Sequence, residues 1–447
     1  MKSNRWRLTM LGICLLAAST AEALDIRLDI FGNANMDDTI DEDDIAYLKD
    51  IINGTVPSTR LADANYDLVV DEADIVQIDQ IIKGEEKNLT FVDLFGDAET
   101  VKKPANHVAA LGYMGPQLLR LIGVDEKMLP VVGASKSKYP AFWGDISSYH
   151  AVGSSPDVDY EYLISIKPDA VQPNLEMMNN LNEEGRKNKK EFRDRLPGIP
   201  LICLNAREPE NISRSILIYG YIFDKEEQAK KFALWHDGIY EKIKKISEQI
   251  PEEEKPKILF NSHKLGYAYT AGGSRYGQTV KLAGGRNLID DVVKSDSPLY
   301  GRTNIEVEAE WVIKSNPEYI ITSYLDTNSS AGFETDDVSG AQGTINMIQG
   351  TKELAKVDAI KNDRVYYIDN YLVGGGGLNL VGAAFLGKLW HPDEFKDIDP
   401  EEILQEYMAF YGSNFDSKEV NGVFFYPPPM ESSRYQYRGL NAKIITA

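Results

Sequence analysis

The sequence predicts an α/β protein of two lobes joined by one long helix, preceded by a small all-α module. Three observations support this fold class. Short β-rich runs alternate with helical patterns on both sides of a central segment, residues 224–250, whose apolar residues recur every three or four positions. A nine-residue pattern occurs once on each side of that segment. Residues 33–84 contain an internal repeat with a period of 30 residues.

The composition limits the size of the domains and the classes of partner. The chain has 447 residues, of which 43% are hydrophobic and 26% charged, as expected for a globular protein of two to four domains. Its formal net charge is −21. Such an acidic surface argues against nucleic acid and anionic lipid as partners, and it suits calcium binding or an exported protein.

Residues 1–23 predict an export signal. Three basic residues precede the apolar run Leu8–Ala18 and the cleavage motif Ala21-Glu22-Ala23. The run is shorter than the ~20 residues that cross a bilayer, which favours a signal over a membrane anchor. Cys14 follows a partial lipobox, so lipidation is an alternative. The predicted location is the cell surface or the periplasm.

The 30-residue repeat predicts two cation-binding loops, residues 33–44 and 63–74, each leading into a helix. Oxygen-bearing side chains at loop positions 1, 3, 5, 9 and 12, with a backbone carbonyl at position 7, suit calcium. A solvated acidic surface is the alternative, but it does not predict two copies in register. The expected ligands are Asn33, Asn35, Asp37, Thr39 (carbonyl), Asp41 and Asp44, and Asp63, Asn65, Asp67, Val69 (carbonyl), Asp71 and Asp74.

Two departures from an ordinary EF-hand loop characterise this module. The last ligand is aspartate instead of glutamate, and the sixth position lacks glycine. With one helix per loop, residues 24–88 resemble a dockerin, the calcium-binding pair of loop–helix repeats that binds a cohesin. The resemblance implies two calcium ions, with the site that begins at Asn33 the weaker, and a cohesin-type protein partner. The sequence leaves open whether the module docks on another protein or on its own lobes.

Residues 89–205 predict the N-terminal lobe, after a polar linker at residues 85–88. A hairpin is followed by strands that alternate with helices, which indicates a parallel sheet with helices on its faces. The expected strands are residues 107–111, 129–134, 170–172 and 200–204, and the expected helices are residues 117–122 and 157–167.

Residues 206–255 contain the helix that joins the lobes. Asp224 and Glu227 predict a capping box at its start, and Pro251 ends it. At 1.5 Å per residue, residues 224–250 span roughly 39 Å, the width of a small domain. A helix of this length predicts that the lobes close by small tilts rather than by a wide hinge.

Residues 256–412 predict the C-terminal lobe, and residues 413–447 predict an irregular tail. The pattern of alternating strands and helices is the same as before the long helix. The expected strands are residues 257–260, 267–270, 319–322 and 365–368, and the expected helices are residues 278–283, 307–314 and 400–410.

The pattern shared by the two halves is a helix that ends at proline and leads into a buried strand. Residues 161–169 and 310–318 each begin with glutamate, continue with an aromatic and two apolar residues, and have proline followed by an acidic residue at the end. Two unrelated but common αβ units are the alternative. The match favours two lobes of equivalent topology.

Four segments around the long helix resemble the substrate-binding proteins of ABC importers for ferric siderophores, cobalamin and haem, over roughly residues 90–412. The segments are residues 152–171, 281–292, 306–322 and 361–369. The resemblance implies two Rossmann-like lobes with a ligand cleft between them, and delivery to a membrane permease. Glutamates that dock into arginine pockets of the permease match Glu161 and Glu310. Ordinary solvated helix glutamates are the alternative.

The ligand is expected at loops that follow the carboxyl ends of the strands, where helix N-termini present free N–H groups. Aromatic rings offer flat contacts to a macrocycle or chelate, and arginines pair with its carboxylates. Ordinary loop packing is the alternative for each aromatic residue, and Met114, His150 and His263 are candidate axial ligands of haem or cobalt. The predicted ligand-binding residues are Tyr113, Met114, Phe142, Trp143, Tyr149, His150, Arg275, Tyr276, Tyr300, Arg302 and Tyr371.

The predicted function is a binding function, since the sequence contains no catalytic motif and predicts no catalytic cofactor. We expect an exported substrate-binding protein of an ABC importer, which captures an iron-siderophore, corrinoid or haem-type ligand between its lobes. The alternative is a dockerin-bearing component of a cell-surface assembly, whose lobes bind a cell-wall or polysaccharide fragment.

Overall fold

The computed structural model describes residues 26–112, 114–132, 149–153, 157–174, 183–262, 266–325, 331–332, 335, 337–411 and 422–427. The predicted export signal, Cys14 and most of the predicted tail lie outside these residues. The helices are α1 (Glu42–Ile52), α2 (Glu72–Lys83), α3 (Met114–Leu121), α4 (Tyr160–Ser165), α5 (Glu183–Arg195), α6 (Pro209–Phe223), α7 (Glu226–Gln249), α8 (Arg275–Leu282), α9 (Ala309–Ser315), α10 (Ser339–Gln349), α11 (Asp358–Lys361), α12 (Asn379–Trp390) and α13 (Pro400–Phe410).

The strands are short and fall into two lobes, as the alternating pattern predicts. They are β1 (Asn88–Val92), β2 (Ala98–Lys102), β3 (Val108–Ala110), β4 (Val131–Val132), β5 (His150–Ala151), β6 (Ala170–Gln172), β7 (Lys257–Asn261), β8 (Ala268–Tyr269), β9 (Arg286–Asn287), β10 (Ile305–Glu306), β11 (Tyr319–Thr322), β12 (Val365–Ile368) and β13 (Phe425–Tyr426).

The N-terminal module, residues 26–87, packs directly on the hairpin β1–β2. The backbone N–H of Phe31 donates to the carbonyl of Thr90 at 2.9 Å, and Val92 N–H donates to the carbonyl of Asp29 at 2.8 Å. The predicted polar linker, residues 85–88, is therefore wrong: Glu86 is 4% exposed, and its carboxylate pairs with the buried ammonium group of Lys103 at 3.2 Å. Module and lobe share one hydrophobic core.

Short parallel strand pairs form the sheet of the N-terminal lobe. Strands β3 and β6 pair in parallel, as do β4 and β5. Single bridges join Val108 to Met128 and Val171 to Leu201. The strand expected at residues 200–204 is thus reduced to one bridged residue.

A five-stranded sheet forms the centre of the C-terminal lobe, in the order β13-β12-β11-β7-β9. Strand β13 is antiparallel to β12, and the other neighbours are parallel, so the sheet is mixed instead of purely parallel. Because β13 lies within the predicted irregular tail, that prediction is wrong for Phe425–Tyr426. The strand expected at residues 267–270 also leaves the main sheet, since β8 pairs only with β10 among the described strands.

The long helix is α7, of 24 residues, and it follows helix α6, which the sequence did not predict. The predicted capping box is wrong. Lys225 is the N-cap of α7 and makes no side-chain capping hydrogen bond, whereas Asp224 ends α6 with a left-handed φ of 58°. The carboxylate of Asp224 contacts Lys103 instead.

Helix α13, the last in the part of the chain that the structure describes, packs on α7. The ring of Phe232 meets Tyr407 and Phe410 edge-on, at centroid distances of 6.1 and 5.1 Å, and the indole N–H of Trp235 donates to Glu406 at 2.8 Å. Within the described residues, no helix combines the length and the apolar character needed to cross a membrane.

Candidate functional site

The loop after β12, residues 369–378, lies between the two lobes and touches both. At its start, Asn370 Oδ1 accepts a hydrogen bond from the hydroxyl of Tyr276 at 2.6 Å. Further on, the N–H of Gly376 donates to the carbonyl of Ala206 at 2.8 Å. The loop therefore contacts the start of α8 in the C-terminal lobe and also Ala206, which follows the last residues of the N-terminal lobe.

Arg275 is held in a buried network at the first turn of α8. Ser274 caps this helix, since its Oγ accepts a hydrogen bond from Gly277 N–H at 3.1 Å. The guanidinium of Arg275 lies 4.6 Å from the ring centroid of Tyr276 and donates to its hydroxyl at 2.8 Å. Arg275 is 4% exposed and Tyr276 is 1% exposed. Tyr276 thus joins Arg275 to Asn370 and fixes the position of the guanidinium.

Three further predicted residues lie around the same part of the C-terminal lobe. Tyr300 packs on the turn before α8: a Cβ at Gly273 would lie 2.3 Å from its ring. Burial raises the pKa of the Tyr300 hydroxyl. The carbonyl of Arg302 accepts from Ala271 N–H at 2.9 Å, and Tyr371 N–H donates to Asp369 Oδ1 at 2.9 Å. The structure therefore brings most of the predicted C-lobe residues together.

Arg207 is a second buried arginine near the loop of residues 369–378, and it was not among the residues predicted from the sequence. It is 6% exposed, and its carbonyl accepts a hydrogen bond from Asn379 Nδ2 at 3.0 Å. Burial raises the pKa of the adjacent Glu208 carboxyl, against the lowering effect of the Arg207 charge. The available signal was an arginine three residues after the buried run at residues 200–204.

The predicted N-lobe contact residues are placed less completely. Tyr113, Phe142, Trp143 and His263 lie outside the described residues, and for Met114 only the backbone position in α3 is described. Tyr149 is partly buried and packs on the main core.

His150 lies beside helix α4 instead of next to Arg275. Its ring stacks on Tyr162 with centroids 3.6 Å apart, and its Nε2 lies 3.4 Å from Asp159 Oδ2.

Glu161 and Glu310 are both exposed, one on each lobe. Glu161 is in the first turn of α4, and Glu310 is in the first turn of α9. The structure therefore gives both side chains the access that docking on a partner requires.

The two acidic loops have matching geometry. In the first, Asp44 Oδ1 accepts from Asn35 N–H at 3.1 Å and Oδ2 accepts from Asp41 N–H at 2.9 Å. In the second, Asp74 makes the equivalent bonds at 3.0 and 2.9 Å. Burial raises the pKa of Asp44 to about 7 and also raises that of Asp74. Over the described ranges, no three His, Cys, Asp or Glu side chains form a cluster that could hold a metal ion.

The first loop differs from the second in two ways. Its opening residue, Asn33, donates from its amide to the carbonyls of Leu28 and Asp37, both at 2.7 Å. Its far side packs on α6, where the hydroxyl of Tyr221 accepts from Ile40 N–H at 2.9 Å. The first repeat is therefore docked on its own chain.

Comparison with known proteins defines the class. Residues 107–372, more than half of the chain, match the family described as periplasmic binding protein, and the chain belongs to this family. Its members are extracytoplasmic substrate-binding proteins of ABC transporters, which bind a small molecule and work with an ABC permease, so the class is not enzymatic. The N-terminal module lies outside the matched residues.

Particular relatives can also be named. The chain is 25% identical over 290 residues to the petrobactin-binding protein YclQ of Bacillus subtilis (strain 168). The aligned region covers 63% of this chain and 81% of that protein. A periplasmic solute binding protein from Veillonella parvula has a TM-score of 0.58 at 21% identity, covering 75% of this chain and 97% of that one.

A second solved structure shows the same fold. CeuE of Helicobacter pylori, in a complex described as Ni-His, has a TM-score of 0.57 at 18% identity, covering 73% of this chain and 96% of that one. The predicted α/β fold of two lobes is confirmed. The predicted dockerin identity, the cohesin-type partner and the surface-assembly role gain no support from these matches.

Proposed function

We propose that this chain is the substrate-binding protein of an ABC importer that captures an anionic ferric siderophore between its lobes and delivers it to the permease. The observation that carries the proposal is the buried network Arg275–Tyr276–Asn370 at the loop between the lobes. Arginine makes bidentate, charge-assisted hydrogen bonds to anionic oxygen atoms. A fixed guanidinium in a water-poor site therefore favours a ligand with negatively charged oxygens.

Two further observations support the choice of ligand. The network contains one buried arginine, and Arg207 is a second. The two lie near opposite ends of the loop of residues 369–378. The net charge of the chain is −21. Buried arginine side chains near a binding site favour a ligand with anionic oxygen atoms. The relative in Bacillus subtilis carries the name petrobactin-binding protein. Corrinoid and haem ligands, which the sequence also suggested, become comparison ligands in the test.

The test is a titration of the purified protein with a ferric catecholate siderophore, haem and cobinamide in separate experiments. Tryptophan fluorescence measures the binding. We expect the ferric siderophore to bind most tightly and Arg275→Gln to weaken that binding by about 10- to 100-fold. The matched control is Arg286→Gln, because Arg286 pairs with Asp291 on the surface at 2.8 Å. Tighter binding of haem or cobinamide, or no binding of the ferric siderophore, contradicts the proposal.

We also propose that the two acidic loops bind calcium, the second more tightly than the first. The reason is the charge of the first residue of each loop: Asp63 supplies a carboxylate, whereas Asn33 supplies only a neutral amide oxygen, which accepts a hydrogen bond from Asp37 N–H at 3.1 Å. Calcium prefers charged oxygen ligands.

Calorimetric titration of the full chain with calcium tests this, with Asp67→Asn and Asp37→Asn as a matched pair at the fifth loop position. Asp67→Asn is expected to remove the tighter site, and Asp37→Asn only the weaker one. A wild-type protein with no heat of binding and no shift in melting temperature at millimolar calcium contradicts the assignment.

A further inference from the structure

The N-terminal module contacts the last turn of helix α6. The hydroxyl of Tyr221 in this turn accepts a hydrogen bond from Ile40 N–H at 2.9 Å and lies 3.3 Å from the Thr39 hydroxyl. Tyr221 is 8% exposed and Ile40 is 5% exposed, so this contact is shielded from water. The first loop of the module is therefore fixed to the end of α6.

Two ion pairs extend the contact along both α6 and α7. Asp29 of the module lies 3.5 Å from Arg214 in α6, and Asp38 lies 3.8 Å from Lys230 in the second turn of α7. Such pairs add little free energy individually, but they show that one surface of the module faces two helices at once. The module thus spans the junction of α6 and α7.

Helix α7 packs closely on α6 beside this junction. A Cβ at Gly220 would lie 2.6 Å from the Cβ of Ala229, so the two helices approach each other closely near the module. The N–H of Lys225 also donates to the carbonyl of Gly220 at 2.8 Å. Because close-packed side chains transmit displacement, a shift at the end of α6 also moves the first turns of α7.

The loop of residues 369–378 packs against the same helix pair. A Cβ at Gly377 would lie 3.2 Å from the ring of Phe232, which belongs to the second turn of α7. The N–H of Gly376 donates to the carbonyl of Ala206, three residues before α6 begins. The position of the loop at the candidate site therefore depends on the position of α6 and α7.

We propose that the N-terminal module is an internal brace for the ligand site. It holds the end of α6 and the start of α7 on the N-terminal lobe, and it thereby keeps the loop of residues 369–378 in the position that binds the ligand. Contiguous packing of this kind carries energetic coupling between separate sites. The effect on ligand binding rests on the proposed import function, whereas the effect on the helices does not. The partner of the module is then the helix pair of its own chain.

The experiment uses the full chain with the double substitution Tyr221→Phe and Lys230→Met, which removes two contacts with the module. The matched control is Tyr240→Phe with Lys244→Met. Both control residues lie on α7, and Lys244 pairs with Glu241 of the same helix at 3.2 Å, so the control leaves the module contacts intact.

Two properties are measured in both double variants. Amide hydrogen exchange over residues 226–233 and 369–378 reports on the helix junction and on the loop. Fluorescence titration reports the affinity for the ferric catecholate siderophore. We expect the first double variant to exchange about 3- to 10-fold faster in both segments and to bind the siderophore about 3- to 10-fold more weakly. The control should change each property by less than about 2-fold.

The outcomes separate failure of the brace from failure of the import function. The inference is wrong if either the siderophore affinity or the exchange in both segments equals that of the control, or if exchange rises only in residues 226–233. The import function then stands, because it depends on wild-type binding alone. If the wild-type protein does not bind the siderophore, the import function fails, and the exchange in the two segments decides whether the module braces the helices. If the double variant does not fold, Lys230→Met alone is measured, since this side chain is 49% exposed.

Discussion

The side-chain amide of Gln117 donates a buried hydrogen bond of 2.8 Å to the hydroxyl of Tyr407. Gln117 belongs to α3 of the N-terminal lobe, and Tyr407 belongs to α13, the last of the described helices. The same hydroxyl donates to the carbonyl of Gly376 at 2.7 Å. Helix α13 therefore links the lobes a second time, in addition to α7. Two attachments favour small relative movements of the lobes, so closure by small tilts stays a prediction that both helices support.

Tyr407→Phe is expected to lower the free energy of unfolding by about 1–3 kcal/mol, because the N–H of Gln117 and the carbonyl of Gly376 stay buried without this hydroxyl. Chemical denaturation measures the change. The matched control is Tyr240→Phe on α7, which keeps the ring and should change stability by less than about 0.5 kcal/mol. Equal effects of the two substitutions contradict the link through α13.

Lys103 joins three parts of the chain. Its ammonium group pairs with Glu86 of the module at 3.2 Å, and it also contacts the carboxylate of Asp224 and the carbonyl of Tyr221 at the end of α6. Lys103→Met leaves the Glu86 carboxylate buried without its cation. Removal of one partner of a buried ion pair costs about 3–5 kcal/mol of stability.

Denaturation of Lys103→Met should therefore show a large loss, and the double variant with Glu86→Gln should recover part of it. The control is Lys83→Met, which breaks an exposed pair with Asp79 at 2.6 Å. Exposed pairs contribute about 0–1 kcal/mol. A loss as small for Lys103 as for Lys83 means that the module does not depend on this junction.

Asp44 predicts a pH dependence of stability in calcium-free buffer. Burial raises its pKa in the folded protein to about 7, so the native state binds this proton more tightly than the unfolded state. The contribution of Asp44 to stability is then full below about pH 4 and is lost as the pH rises through 7. Asp44→Asn removes this part of the pH dependence.

The measurement for Asp44 is the difference between wild type and variant in free energy of unfolding, followed from pH 4 to pH 8. Asp74 and Glu226 also have raised pKa values, but both remain in the two proteins and cancel in the difference. Parallel pH profiles contradict the assignment to Asp44.

Helices and strands whose residues show a clear contrast between apolar and polar positions were predicted well from the sequence. Strands β6, β11 and β12 and helix α13 have the expected bounds. A proline lies close to the start of β6, β11 and α13, and charged or polar residues flank the apolar run of β12. Helices α6 and α12 were missed. Nearly all of their residues are buried, so they lack the polar face that reveals a helix.

Long-range pairing explains the remaining errors. Asp224 has the sequence features of a helix N-cap, but it ends α6 and pairs with Lys103, a residue 121 positions away. Glu86 was assigned to a polar linker because its sequence neighbours do not reveal its pairing with Lys103. At the candidate site, Arg275 and Tyr276 were found because they follow a glycine-rich turn, whereas Arg207 lies in a segment without such a signal.

Two glycines in the helix pair α6–α7 predict opposite effects of the same substitution. At Gly238, within α7, an added Cβ meets no atom within 4 Å, so Gly238→Ala should raise stability by about 0.5–1 kcal/mol through helix propensity. At Gly220, in α6, the added Cβ would lie 2.6 Å from the Cβ of Ala229. Gly220→Ala should therefore separate the helices and cost about 1–3 kcal/mol. Denaturation midpoints that move in the same direction for both variants contradict the close packing of α6 on α7. If α7 is already rigid, Gly238→Ala leaves the affinity for the ferric siderophore unchanged, since stiffening a rigid helix does not alter the closure of the lobes.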